Sequence, residues 1–170
     1  MRVWFPLRIV GIGMLLLIFS GPGLAAQIST TMQVTATMVG SCSISATAMV
    51  FPAHDGSADV TTTSTITSNC TSGQAYLVHL DAGTHYSGGS RYVADDSTGT
   101  HFIAYQLYQG ATTTPWGDAG NTGSATNAWG SVSLAGTGLD QPSTVSGKLF
   151  GGANVPVGSY SDVINITVTY

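Results

Sequence analysis

The residues from 27 to 38 alternate between polar side chains and side chains that are, except at Thr30, apolar. Gln, Ser and Thr occupy the odd positions, whereas five of the six even positions are apolar. Successive side chains of a β-strand point to opposite faces, so this pattern predicts a strand with one apolar face. The side chains predicted to share that face are Ile28, Thr30, Met32, Val34, Ala36 and Met38.

Further strand patterns recur along the chain, separated by clusters of Gly, Asn, Asp and Ser. No sustained 3.6-residue apolar period follows residue 26, which favours an all-β fold. Two polar, glycine-rich stretches, 83–99 and 110–130, are expected to be surface loops. The predicted strands after the first are 41–51, 61–70, 75–81, 102–108, 128–134, 144–150 and 160–170.

The last predicted strand, 160–170, places apolar side chains at even positions, with Asp162 interrupting the pattern near its start. The sequence ends on this strand, so we expect its outer edge to lack a neighbour. The apolar side chains on this edge are expected to border an open groove; they are Ile164, Ile166, Val168 and Tyr170.

The first 26 residues have the features of an export signal. Arg2 and Arg8 precede an apolar run over 9–19, and small residues follow at 23–26. That run is shorter than the roughly 20 residues that a membrane-spanning helix needs. The sequence therefore predicts a signal peptide over 1–26 and an exported protein without membrane insertion.

The charge of the chain argues against partners that attract basic proteins. The chain contains no Glu. After removal of 1–26 it has two basic residues, Arg91 and Lys148, and eight Asp, which gives a net charge of −6. Nucleic acids and anionic membranes select clustered Lys and Arg, so neither is an expected partner. Because 43% of the residues are hydrophobic, a packed domain is favoured over disorder.

Cys42 and Cys70 are the two cysteines of the chain. In an exported protein such a pair predicts a disulfide, since extracellular compartments are oxidising. A zinc site is disfavoured because no His pair with metal-binding spacing accompanies them.

The sequence offers little support for an enzyme. It contains no nucleophile elbow, zinc-protease motif or phosphate-binding loop. His79 and Asp81 share one face of a predicted strand, which suits either a metal site or, more simply, surface polarity. The adjacent pair Asp95 and Asp96 is interpreted as a solvated turn. No catalytic residue, metal or cofactor is therefore expected.

Trp116 and Trp129 lie in or beside the long polar stretch. Exposed tryptophans of this kind can stack on sugars, which would suit a carbohydrate-binding adhesin. Tryptophans near a loop also commonly pack beneath it, and the sequence leaves both interpretations open.

In their order along the chain, several segments resemble the spore coat protein U domain family, which includes subunits of archaic, Csu-type chaperone–usher pili. The resemblance covers essentially the whole chain after the signal. The segments that carry it are 40–46 leading to Phe51, 68–73 followed by 76–80, Arg91, 105–108, 116–117, 147–150 and 158–162 leading to 167–170.

The resemblance implies an immunoglobulin-like β-sandwich that lacks its final strand and is completed by donor-strand exchange. A periplasmic chaperone first fills the gap, and an outer-membrane usher then exchanges it for the N-terminal strand of another, identical or related subunit. On this basis 27–39 is the donor-strand extension and 40–170 is the sandwich domain. The product is a surface filament for attachment and biofilm formation, with a cell-surface or spore coat protein assembled by the same exchange as the alternative.

Overall fold

The computed structural model describes residue 23 and residues 26–120 and 129–170. The chain divides into two compact units, Met1–Thr37 and Met38–Tyr170. The described residues of the first unit form no regular secondary structure, so the strand predicted over 27–38 is not formed here, and the side chains over 26–37 are exposed to solvent. Apart from Gly23 and Ala26, the predicted signal peptide lies outside the described residues.

The second unit is built from β-strands, as the alternating patterns predict. Its described part contains no helix. The strands are β1 (Cys42–Ala46), β2 (Val60–Cys70), β3 (Ala75–Leu80), β4 (Tyr86–Ser87), β5 (Ser90–Asp95), β6 (Phe102–Gln109), β7 (Val132–Ala135), β8 (Gln141–Leu149), β9 (Tyr160–Ser161) and β10 (Ile166–Thr169).

The strands form two antiparallel sheets of unequal size. The larger sheet has the order β1-β2-β8-β6-β5-β4, with β9 also pairing with β5. The smaller sheet has the order β10-β3-β7. Buried side chains from both sheets form one apolar core, including Ile66, Leu107 and Val145 from the larger sheet and Tyr76 and Val78 from the smaller. The all-β sandwich predicted from the sequence is confirmed.

The predicted disulfide is present. Cys42 and Cys70 are directly opposite each other in the β1–β2 pair and are bonded through their sulfur atoms. Cys70 is fully buried against the core. The disulfide therefore fixes the beginning of β1 to the end of β2.

The prediction of a loop over 83–99 was wrong. This stretch contains the hairpin of β4 and β5, which pairs with β6 at the side of the larger sheet. The inward position in β5 is occupied by Arg91, which interrupts the apolar alternation that would have revealed a strand.

Two predicted strands are shorter than expected. The strand expected over 41–51 ends at Ala46, and the chain continues to Phe51 without ladder pairing. The strand expected over 160–170 is interrupted between Ser161 and Ile166. There the chain leaves the larger sheet at β9 and joins the smaller sheet at β10. Residue 128, the expected start of another strand, lies outside the described residues; that strand, β7, begins at Val132.

Candidate functional site: an apolar groove between the sheets

A large open groove lies between the two sheets of the second unit, with a volume of about 830 Å³. Its floor is apolar and comes mainly from the inward side chains of the larger sheet. Representative floor residues are Ile66, Val93, Ile103, Leu107, Val145 and Leu149. Most of these also belong to the hydrophobic core, so the groove exposes part of that core.

Two irregular segments form the walls of the groove. The first wall is 46–56, which continues from β1, and the second is 153–164, which passes through β9 and the crossing between the sheets. Val50 and Val163 are largely exposed on these walls, and Val157 is fully exposed. Apolar side chains therefore lie both at the bottom and along the rim.

The first wall has few backbone partners. Thr47 donates its N–H to the Thr65 carbonyl, but within the described part of the chain the backbone of 48–54 makes no hydrogen bond. Strand β10, on the other side, pairs only with β3 among the described strands. In an antiparallel pair alternate backbone groups point away from the neighbour, so β10 presents unpaired groups along its other edge.

One end of the groove is polar. The Tyr105 hydroxyl donates to Asp162 Oδ2 at 2.6 Å, and the backbone N–H of Thr84 donates to Asp162 Oδ1 at 2.9 Å. His85 Nδ1 lies 3.2 Å from the same Oδ1 atom. Burial raises the pKa of the Tyr105 hydroxyl, and the hydrogen bond to Asp162 raises it further. The tyrosine therefore stays a neutral donor. It holds residues 162–165, the crossing segment between β9 and β10, against β6.

The crossing segment is held at a second point by Asp81. Its Oδ1 accepts the backbone N–H of Asn165 at 3.0 Å, and its Oδ2 accepts the Asn165 side-chain amide at 2.7 Å. Asp81 is buried and so is His79, whose ring nitrogens pair with Ser131 at 2.6 Å and Thr169 at 3.0 Å. The expectation of surface polarity at His79 and Asp81 was therefore wrong, because both side chains complete hydrogen bonds inside the sandwich.

Arg91 is fully buried and lies at the end of β3 that leads into Asp81. It donates to the carbonyl oxygens of Leu80, Asp81 and Trp116 and to the side chain of Gln106. Burial lowers the pKa of Arg91 to about 10, so it remains charged at neutral pH. Four groups accept hydrogen bonds from the guanidinium, which links the two sheets, and no carboxylate of the described residues forms an ion pair with it.

Both tryptophans pack within the domain. Trp116 is 1% exposed and donates its indole N–H to the Val78 carbonyl at 3.0 Å. The ring of Trp129 lies over the Arg91 guanidinium at 4.6 Å and meets Tyr86 edge to face. A fully buried Trp116 offers no surface to a sugar, which removes one of the two residues on which carbohydrate binding was considered.

The turn at Asp95 is also more buried than expected. Asp95 is 8% exposed, and its carboxylate accepts the backbone N–H groups of Thr98, Thr100 and His101. These bonds, led by the one from His101, hold the pKa of Asp95 well below its usual range. The interpretation as a solvated turn was wrong for Asp95, although Asp96 is exposed.

Comparison with known proteins gives the groove a context. The profile of the Spore Coat Protein U domain matches residues 28–167. The chain belongs to the Spore Coat Protein U domain family. No protein of curated function matches the sequence.

A solved structure shares the fold of this Spore Coat Protein U domain protein. It is the crystal structure of the CsuC–CsuE chaperone–tip adhesion subunit pre-assembly complex from archaic chaperone-usher Csu pili of Acinetobacter baumannii. The likeness has a TM-score of 0.57 at 20% sequence identity. It covers 79% of the present chain and 40% of the matched chain, and it establishes the sandwich fold.

The four predicted edge residues of this Spore Coat Protein U domain differ in whether they line the groove. Ile164 and Ile166 line the groove, and Val168 packs against the core beside it. Tyr170 is 59% exposed and does not line the groove. The structure thus brings two of the four predicted edge residues into the cavity wall.

The predicted donor residues lie in a stretch without regular secondary structure and are exposed. Ile28 is 99% exposed, and Met32, Val34 and Met38 are each more than 80% exposed. Thr30 and Ala36 are exposed as well. Such a row of apolar side chains is unusual on a free protein surface, where large apolar patches commonly mark interaction sites.

Sequence reasoning missed the first wall of the groove and, apart from Ile164, the second wall as well. In the second wall, Ala153, Val155 and Val157 alternate with Asn154 and Pro156, a short period-two signal that was available. In the first wall, the alternation shifts register between Ala48 and Met49. Short segments of this kind do not pair in a ladder, so strand patterns describe them poorly.

Among the described residues no group of three potential metal ligands comes together. Within the same part of the chain no helix has the length and apolar character to cross a membrane.

Proposed function

We propose that the protein is a structural subunit of an extracellular filament and that it assembles by donor-strand complementation. The observation that carries this proposal is the open apolar groove, bordered by the unpaired edge of β10 and by a wall whose backbone over 48–54 lacks hydrogen bonds to other described residues. One added strand would cover the exposed core and also pair with the backbone on its sides. We assign the protein no catalytic role.

The proposed occupant of the groove is the segment 27–38 of a second copy or of a related subunit. Its even-numbered side chains are exposed, and their alternation matches a groove that needs apolar groups on one face only. Burial of these side chains would contribute very roughly 10 kcal/mol before the cost of ordering the strand. The proposed donor residues are Ile28, Thr30, Met32, Val34, Ala36 and Met38.

 Ala36 is the smallest side chain of this row, and Thr30 is its one polar member.

The direction of the inserted strand follows from the sheet that it joins. The smaller sheet is antiparallel at both of its pairings, β10 with β3 and β3 with β7. An inserted strand that continues this arrangement runs antiparallel to β10. Each subunit would then give a strand to one neighbour and receive a strand from another, and such head-to-tail contacts form an open filament.

The groove also accounts for the partners that we propose. A subunit with exposed core side chains is prone to aggregate before it meets the next subunit. A periplasmic chaperone that fills the groove would prevent this, and an outer-membrane usher would then exchange it for the donor strand. The similar structure is described as a chaperone–tip adhesion subunit pre-assembly complex, which supports this route to a cell-surface filament with a role in attachment and biofilm formation.

Charge substitutions on the two faces of the donor segment test the proposal. In Met32→Asp/Val34→Asp, the apolar face receives two charges that the groove cannot solvate, so we expect polymers of the purified protein to disappear. The matched control is Thr31→Asp/Thr35→Asp, which adds the same charges to the opposite face and should preserve assembly. Polymer length is measured by size-exclusion chromatography and electron microscopy.

The outcomes separate the alternatives. Equal assembly by the two variants, or equal loss in both, would contradict donor-strand complementation. If assembly follows the face-specific pattern, electron microscopy of expressing cells distinguishes a pilus from a surface coat built by the same strand exchange.

A further inference from the structure

His54 is an exception among the polar side chains that line the groove. It lies on the first wall, and its Nε2 atom is shielded from solvent without a hydrogen-bond partner among the described residues. Asp162 and Tyr105, which also line the groove, have hydrogen-bond partners for their side chains. His54 therefore lines the groove and carries an unpaired ring nitrogen, which an incoming strand reaches once the ring turns.

A buried polar atom without a partner lowers the stability of a fold, because the atom has lost its water without gaining a replacement. The wall that carries His54 is also weakly held. Pro52, Ala53 and Asp55 on either side of it are exposed, and within the described part of the chain no hydrogen bond holds the backbone of 48–54. The ring and its wall can thus adjust when the groove is filled.

We infer that His54 Nε2 forms a hydrogen bond with the backbone of the strand that enters the groove; this inference rests on the proposed function. The incoming strand brings peptide N–H and C=O groups along its whole length, and the imidazole ring can either donate or accept. His54 is thus a binding residue that recognises an extended backbone, whichever side chains the strand carries. Its unpaired state disfavours the empty groove, and its paired state favours the filled one.

The test uses the full exported chain with Met32→Asp/Val34→Asp, which keeps the groove free of its own donor segment. A fluorescent peptide of residues 27–38 is titrated into this parent and into the same chain with His54→Phe. We expect the peptide to bind the His54→Phe chain about five- to tenfold more weakly, the loss of one hydrogen bond. The melting temperature of the empty chain should stay the same or rise, because an unpaired buried atom has been removed.

The matched control is Ile164→Val, which removes one methylene group from the other wall. Its melting temperature and its peptide affinity should both fall. With His54→Phe, by contrast, the affinity should fall while the melting temperature stays the same or rises. A peptide with Thr30→Val should also bind the His54→Phe chain more weakly than the parent chain, by the same factor. If that loss vanishes with the altered peptide, the partner is the Thr30 hydroxyl and the backbone assignment is overturned.

A second measurement covers the case in which the empty chain fails to fold. A copy of residues 27–38 is joined after Tyr170 so that each chain fills its own groove, and His54→Phe should then lower the melting temperature. An unchanged or higher value would overturn the role of His54. Failure of the peptide to bind the parent would instead contradict the proposed function, so the two failures are distinguishable.

Discussion

At the scale of single residues, buried polar groups fix connections between strands. Arg91 gathers three carbonyl oxygens from two separate segments, Asp81 holds Asn165, and Asp162 holds the 84–85 turn. All three are near the points where the chain passes between elements. Their burial is compatible with folding because each charge or dipole meets several partners.

Asp95 gives a pH-dependent prediction. Its pKa is lowered in the folded protein, whereas an unfolded Asp titrates near about 3.9. The carboxylate therefore stabilises the fold fully above about pH 4, and this stabilisation is lost as the pH falls further. We expect Asp95→Asn to lower the melting temperature at pH 7 and to reduce the difference between pH 7 and pH 3.

Thermal unfolding of the wild type and the variant at both pH values measures this effect. Asp96→Asn is the neighbouring control, since Asp96 is exposed and is expected to change the pH dependence less. The explanation fails if the melting temperatures of Asp95→Asn and the wild type fall by the same amount between pH 7 and pH 3.

At the scale of elements, the sequence predicts strands well where alternation is apolar and paired. Strands β2, β3, β6 and β8 match their predicted positions closely because their inward positions carry apolar or small side chains. Strand β5 was missed because Arg91 occupies an inward position and is satisfied by carbonyl groups far away in sequence. The interruption after β9 depends likewise on Tyr105 and Asp81, whose distant contacts no local pattern reveals.

The candidate site was predictable only in part for the same reason. The alternation of the proposed donor segment was visible because it is local, and the disulfide followed from two cysteines in a chain with a predicted export signal. The groove walls are irregular and take their position from tertiary packing. An example is Gly147 of β8, where an added Cβ would lie 2.2 Å from Met49 Sδ and 3.0 Å from Phe51 Cζ.

Gly147 therefore controls how closely the first wall approaches the larger sheet. We expect Gly147→Val to lower the free energy of unfolding by about 1–3 kcal/mol, because Met49 and Phe51 must move. Chemical denaturation measures the change. Gly158→Val is the control, since its added Cβ has no heavy atom closer than 4.0 Å.

A second substitution tests the reason. Met49→Ala should recover part of the stability lost in Gly147→Val, because it makes room for the new side chain. Additive losses in the double variant would contradict a direct clash.

At the scale of the whole molecule, the second unit is a sandwich with a large sheet, a small sheet and an unfilled space between them. The chain enters the larger sheet at β1 and ends its described strands in the smaller sheet at β10. The disulfide is the one covalent cross-link of this unit, since the chain has two cysteines. It closes a loop with a sequence separation of 28 residues.

Removal of this cross-link gives a prediction for the entire fold. The chain-entropy argument assigns the loop a stabilisation of about 3–4 kcal/mol, so Cys42→Ser/Cys70→Ser should lose about that much. Urea denaturation of the oxidised wild type and the double variant measures it. The wild type under reducing conditions is the matched control and should shift in the same direction, whereas an unchanged midpoint in both would contradict the prediction.

The position of the disulfide has a mechanical consequence. The backbone N–H of Thr71 donates a hydrogen bond to the Ser41 carbonyl, and the next residue, Cys42, forms the disulfide with Cys70. In a filament, tension arriving from the donor segment through Val39 and Gly40 would pass at Cys42 directly into β2, which lies inside the larger sheet. The load would bypass the hydrogen bonds between β1 and β2, so a stretched subunit would not be peeled open from its first strand.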